Sequence, residues 1–180
     1  MANSQFKSLV EVAEIANNKR RGIKASLRPH GTTPYHGANS IQGTIDGYTH
    51  DGEYILVAQD GTNSIENYSV RWVTGKFWAN EHVHILRGKE GIMNSRFLYH
   101  YLKQMDFIPF LNNLDRPSLP QGHLPRIQVP MIPLAQQEKI AKVLDLFEEI
   151  VSDTNGLGRE IALYQSQYRY YSNFLFKGQK

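Results

Sequence analysis

Lys19, Arg20, Arg21, Lys24, Arg28 and His30 crowd one short stretch near the start of the chain. Gly22 and Pro29 interrupt it and Gly31-Thr32-Thr33-Pro34 follows, so turn chemistry makes the stretch a loop. Such a loop can close around phosphates through ammonium and guanidinium groups, and arginine can also offer a two-pronged donor to guanine in a major groove. A solvated surface loop is the plainer reading of any charge run. Tyr35, His36 and Asn39 sit between turn signals and carry the mixed donors and acceptors that base edges require. Arg71 and Lys76 flank an expected hairpin turn at Thr74-Gly75, from which a β-ribbon could touch a nucleic-acid backbone, while Trp72 and Trp78 read as packing.

Other chemistries find no matching residues. The chain has no Walker A loop, no nucleophile elbow, no paired-histidine metalloprotease helix and no Asn-Pro-Pro-Tyr or Asp-Pro-Pro-Tyr tetrapeptide. Asp46, Asp51, Glu53, Asp60 and Glu66 are close in sequence but follow no nuclease spacing. His82 and His84 share one face of an expected strand and lack a third ligand, so neither a metal nor a cofactor nor a catalytic residue is expected. Zero cysteines exclude a disulfide framework. No stretch approaches the roughly twenty apolar residues of a membrane span, and Met1-Ala2-Asn3-Ser4-Gln5 does not begin a secretory signal, which together predict a cytoplasmic protein with no membrane partner. The net charge of +3 is too small to name a polyanionic partner by itself.

The elements that must hold these residues are those of an α+β fold with a mixed sheet. Ser8 and Glu11 can form a capping box that opens a helix through Ile15. Strands are predicted at 53–59, 69–74, 82–87 and 126–129, with turns at Asp51-Gly52, Asp60-Gly61, Thr74-Gly75 and Arg87-Gly88. Asn94 or Ser95 can cap a helix with Phe97, Leu98, Tyr101, Leu102 and Met105 on one face, ending before Pro109. The globular domain is placed at 1–133 and a helical region at 134–180. In that region Ile140, Leu144, Phe147 and Val151, and then Ile161, Tyr164, Tyr168, Tyr171 and Leu175, step by threes and fours like a coiled-coil seam. The phase slips around Thr154-Asn155-Gly156-Leu157-Gly158, where a break is expected. An unbroken helix would be a rod of roughly 65 Å. A helical hairpin that completes a core is the alternative, although tyrosines on the seam favour a dimer or subunit interface. Glu138, Asp145, Glu148, Glu149, Asp153 and Glu160 line the helical region, which suits protein contacts better than phosphate.

Pro130-Met131-Ile132-Pro133-Leu134, then Gln136-Gln137-Glu138-Lys139-Ile140 and Val143-Leu144-Asp145, resembles the segment that ends a target recognition domain and opens the helix in DNA specificity subunits of type I restriction-modification systems. Gly156-Leu157-Gly158-Arg159-Glu160-Ile161 and Gln167-Tyr168-Arg169-Tyr170-Tyr171 are similar to the later part of that helical region. The pattern from Tyr35 to Gly43, with Asp51 to Gly61, is similar to the recognition domain itself. The resemblance covers nearly the whole chain. It implies a non-catalytic subunit that recognises double-stranded DNA and holds methyltransferase and restriction subunits through its helices. It also makes Asn113, Arg116 and Ser118, in the loop from Asn112 to Ser118, a second DNA-facing candidate. Family members usually carry two recognition domains, whereas one is visible here and no internal repeat is seen. A half subunit that pairs with itself as a homodimer through the helical seam, on a bipartite palindromic site, is therefore expected. A coiled-coil protein-interaction adaptor without DNA specificity is the second reading.

Overall fold

The structure is a computed structural model that describes residues 5–152 and 158–177, with side chains over 6–151 and 163–176. Strand β1 (Gln5–Ser8) pairs antiparallel with β8 (Gln128–Met131). A six-stranded sheet is built from β2 (Ala13–Ile15), β3 (Thr33–His36), β4 (Ile41–Ile45), β5 (His50–Ala58), β6 (Val70–Ala79) and β7 (Val83–Gly88). Its order is β2-β7-β5-β6-β3-β4, and β3 runs parallel to β6 while the other neighbours are antiparallel, so the sheet is mixed. The run Tyr54-Ile55-Leu56-Val57-Ala58 is buried on both faces, as a central strand demands. Ile55 and Val57 join Leu86, Phe97, Leu102 and Val129 in one core, while Tyr54 and Leu56 join Phe77, Ala79, Val83 and Ile85 in the other.

The expected turns at Asp51-Gly52 and Thr74-Gly75 are not turns. Gly52 and Gly75 face each other as one rung of the β5–β6 ladder, with φ of +127° and +78°. A conformation open chiefly to glycine at the same rung of both strands lets the ladder curl over its own face without ending. Phe77 thereby comes within 5.8 Å of the Tyr54 ring and stacks on His50 at 5.2 Å. The helix expected through Ile15 also stops early. Helix α1 covers only Leu9–Val12, with the Glu11 carboxylate accepting from the Ser8 N–H at 2.8 Å, and Ala13–Ile15 pairs instead with β7. Strands β1, β3 and β4 carry too little apolar alternation to be read locally.

Helix α2 (Ser95–Gln104) is capped by Asn94, whose side chain accepts from the Phe97 N–H at 2.9 Å. Helix α3 (Leu134–Ser152) packs beside it, and α4 (Gly158–Lys177) returns along both. Phe147 lies 5.8 Å from Tyr171, and Phe176 lies 5.2 Å from Phe97 and 5.3 Å from Tyr101. The helical region is thus a hairpin folded onto the domain, not a 65 Å rod. Most of the expected break, 154–157, lies outside the described residues.

The hairpin changes the meaning of the seam. Leu144 is fully buried, Ile140 packs on the core and Tyr168 is buried among the chain's own helices. Phe147, Val151 and Leu175 are half-buried and Tyr164 and Tyr171 exposed, while the side chain of Ile161 lies outside the described residues. What faces outward instead is Val143, Leu146 and Ile150 on α3 with Leu163, Tyr170 and Phe174 on α4. One more residue ties the layers. Gln137 is fully buried, accepts from the Asn94 N–H at 2.8 Å and donates to the Ile132 carbonyl at 2.8 Å.

Candidate nucleic-acid interface

Segments 17–22, 36–40, 59–64, 80–82 and 112–121 converge on one part of the surface, and two side chains pin them. Arg20 directs Nη1 to Gln59 Oε1 at 2.7 Å, to the Val83 carbonyl at 2.7 Å and to the Glu81 carbonyl at 3.1 Å. Burial pulls its pKa down, opposed by Glu81 and Asp60. Asn17 is fixed in orientation by its partners: Oδ1 accepts from the Ile85 N–H at 3.0 Å, so Nδ2 faces His84 Nδ1 at 3.0 Å and Gln121 Oε1 at 3.1 Å. His84 Nε2 lies 2.7 Å from the Leu119 carbonyl. An amide donor on one ring nitrogen and a carbonyl on the other define a neutral imidazole with its proton on Nε2. Burial accordingly lowers its pKa to about 4.

The remaining ties are between loops. The Leu119 N–H donates to the Gln59 carbonyl at 2.6 Å, Asp60 bridges Ser118, and His82 Nδ1 meets the Asp60 carboxylate at 2.6 Å. Asn39 Nδ2 donates to the Gly61 carbonyl at 2.6 Å and to Asn63 Oδ1 at 3.1 Å. Lys19, Arg21, Asn63, Asn113 and Arg116 are left exposed on these segments. One set of loops thus carries exposed cations, which can neutralise phosphates, and exposed amides, which have the donor and acceptor pairs that base edges require.

Several candidates from the sequence prove to be internal. Arg20 spends its guanidinium on the sheet. Arg28 stacks over the Tyr35 ring at 3.7 Å and donates to the Ile23 carbonyl at 3.1 Å, and Tyr35 itself is buried with its hydroxyl accepting from the Ile23 N–H at 2.9 Å. His36 is buried against Arg71, with Nδ1 to Nη1 at 3.1 Å, and burial followed by the Arg71 charge lowers its pKa to about 4. Arg71 also donates to the Gly37 carbonyl. These five make contacts within the chain that hold the folded loops. Lys76 is exposed over Tyr48 at 4.8 Å, on the curled part of β6 and not at a hairpin tip. Lys24 and His30 are exposed on the segment running beside β3 and β4, where the Asp46 N–H donates to the Pro29 carbonyl at 3.0 Å. The sequence reading misses Asn17, Asn63 and Gln121. Asn63 follows the Asp60-Gly61 turn signal, and nothing local marks Asn17 as a keystone.

The family described as "Type I restriction modification DNA specificity domain" matches residues 1–163. The chain belongs to this family. A putative type I restriction enzyme specificity subunit of Haemophilus influenzae is 49% identical over 172 residues, covering 93% of this chain and 44% of that protein. The type I restriction enzyme MpnII specificity subunit of Mycoplasma pneumoniae is 34% identical, covering 97% of this chain and 54% of that protein. The chain spans about half the length of these curated relatives. A crystal structure of the type I restriction-modification system S subunit from M. genitalium superposes with a TM-score of 0.69 at 17% identity, over 85% of this chain and 41% of that one. That likeness shows the fold, an α+β domain with a mixed six-stranded sheet followed by C-terminal helices, as the specificity-domain resemblance implied. Among the described residues no helix is long and apolar enough to cross a membrane.

Proposed function

We propose that the chain reads DNA sequence through the converging loops and serves as a DNA specificity component of a type I restriction-modification system. The observation that carries this reading is the pinned loop cluster, which presents Lys19, Arg21, Arg116, Asn63 and Asn113 on loops tied to the sheet. Cations there would neutralise phosphates and set affinity, and the amides would discriminate bases, with adenine the natural partner of an Asn side chain. Residues 1–133 form the recognition unit and 134–180 the helical unit that docks methyltransferase and restriction subunits.

Two recognition units on one site require two copies or a longer chain. The outward stripe of Val143, Leu146, Ile150, Leu163, Tyr170 and Phe174 supports pairing of one helical hairpin with another in a homodimer, in place of the inward seam. A randomised duplex pool incubated with the full chain, then sequenced, tests both points. Two inverted half-sites at one fixed gap are expected. A single half-site would refute the pairing, and no enriched sequence, with or without methyltransferase subunits, would refute DNA reading by this chain.

A further inference from the structure

The recognition unit and the hairpin meet in a polar layer that DNA contact does not use. His100 on α2 is fully buried, with Nε2 at 2.6 Å from Asp145 Oδ1 on α3 and Nδ1 at 2.8 Å from the Tyr168 hydroxyl on α4. The Asp145 carboxylate accepts from the Nε2–H, so Tyr168 donates to Nδ1, and one imidazole joins three helices. Around it Arg96 Nε donates to Asp145 at 2.8 Å and Nη2 to Glu148 at 3.1 Å. The Tyr99 hydroxyl donates to Glu148 at 2.6 Å, and Lys103 pairs with the same carboxylate. Arg96 also stacks on Trp72 of β6 at 4.8 Å, which extends the layer to the sheet. His100, Asp145 and Glu148 bring ligand atoms within 4.8 Å of one another, as a metal site would. Arg96 and Lys103 already occupy the two carboxylates, so the cluster reads as an ion network and not as a cation site.

Directional bonds do what apolar packing cannot. Ridge-in-groove contacts such as Phe97 on Phe176 tolerate a crossing angle that varies by about 15°, whereas a buried imidazole with a donor and an acceptor at fixed positions is satisfied in one arrangement. The α3 helix has 19 residues and is about 28 Å long. A swing of about 15° at its base moves its far end by about 7 Å, or about two base pairs at 3.4 Å each.

We propose that His100, Asp145 and Tyr168 are positioning residues that fix the gap between DNA half-sites by locking the angle of the helical hairpin on the recognition unit. This rests on the DNA reading proposed above. The duplex selection, repeated with Tyr168→Phe and with Asp145→Ala, tests it, since the first removes the hydroxyl that donates to His100 and the second removes the carboxylate that accepts from it. The half-site sequence is expected to stay as in the wild type while the single gap spreads over about two base pairs. A lesion that merely loosened the core would weaken retention of all duplexes without widening the gap. One unchanged gap in both folded variants would overturn the proposal. A wild-type chain that enriches no sequence would instead defeat the DNA reading itself.

Discussion

Arg20→Ala is expected to lower the unfolding free energy by about 3 kcal/mol, whereas Arg21→Ala, one residue away, leaves it unchanged and weakens DNA binding. The difference follows from where the two guanidinium groups lie. Arg20 satisfies Gln59 and the Val83 and Glu81 carbonyls, and its loss strands acceptors in a partly buried site; charged hydrogen bonds of this kind contribute about 1.5–3 kcal/mol. Arg21 is exposed and uses only its backbone, the N–H donating to the Ala79 carbonyl at 3.0 Å and the carbonyl accepting from Trp78 Nε1 at 2.7 Å. Urea unfolding of the two variants separates them. Equal midpoints, with Arg20→Ala as stable as wild type, would mean that the internal role given to Arg20 is wrong.

Acid is expected to destabilise the fold well before carboxylates titrate. His84 is neutral in the folded state because its two nitrogens face a donor and a carbonyl, and its pKa falls from 6.5 to about 4. Below pH 6.5 the unfolded chain takes up a proton that the folded chain refuses, so stability is complete above that value and is lost as pH falls toward 4. The cost is about 2 kcal/mol at pH 5 and about 3 kcal/mol at pH 4 for His84 alone. His36 acts in the same direction, and burial lowers His50 and His100 as well. Urea midpoints measured from pH 7 to pH 4.5 should therefore fall steeply, and His84→Gln should flatten part of the slope. A wild-type profile level across that range would contradict a neutral buried His84.

The sequence was most legible where a signal is local. The Asn94 cap, the Phe97 to Leu102 face and the central strand depend on neighbours a few positions away; the cap and face appear where their pattern places them, and the strand predicted at 53–59 is observed as His50–Ala58. The family resemblance was legible for a related reason: Gln137 in the Gln136-Gln137-Glu138 motif is buried and joins the α2 cap to the start of α3, a demand that one residue type meets. What could not be read is direction. Arg20 and Arg21 are adjacent cations in one charge run, and only the pairing of distant strands decides which turns inward. The Thr74-Gly75 signal misled because glycine with positive φ serves a curled ladder as well as a hairpin turn. The helical seam carries two readings in the sequence, and for Ile140, Leu144 and Tyr168 the fold shows the hairpin that completes a core, with the partner supplied by the same chain.

The polar layer around His100 is also hidden from the sequence, because nothing local to Arg96, His100 and Lys103 on α2 shows that two further helices pack over them. Once α3 and α4 pack over α2, His100 is fully buried and Arg96 half-buried, and Asp145 and Glu148 serve as counter-charges to Arg96 and to the exposed Lys103. The acidic residues of α3 therefore have two destinations. Asp145 and Glu148 face inward, and Glu138 is exposed.

Salt dependence of binding is the measurement that bears most directly on where DNA sits. With a duplex of random sequence, phosphate contacts alone set the response, and each lost contact reduces the slope of log K against log salt by about 0.9. The wild-type chain and a Lys19→Ala, Arg21→Ala, Arg116→Ala variant should differ in slope by about 2.7, with unchanged urea midpoints. Equal slopes in two folded proteins would contradict the assignment of the converging loops as the DNA-binding surface.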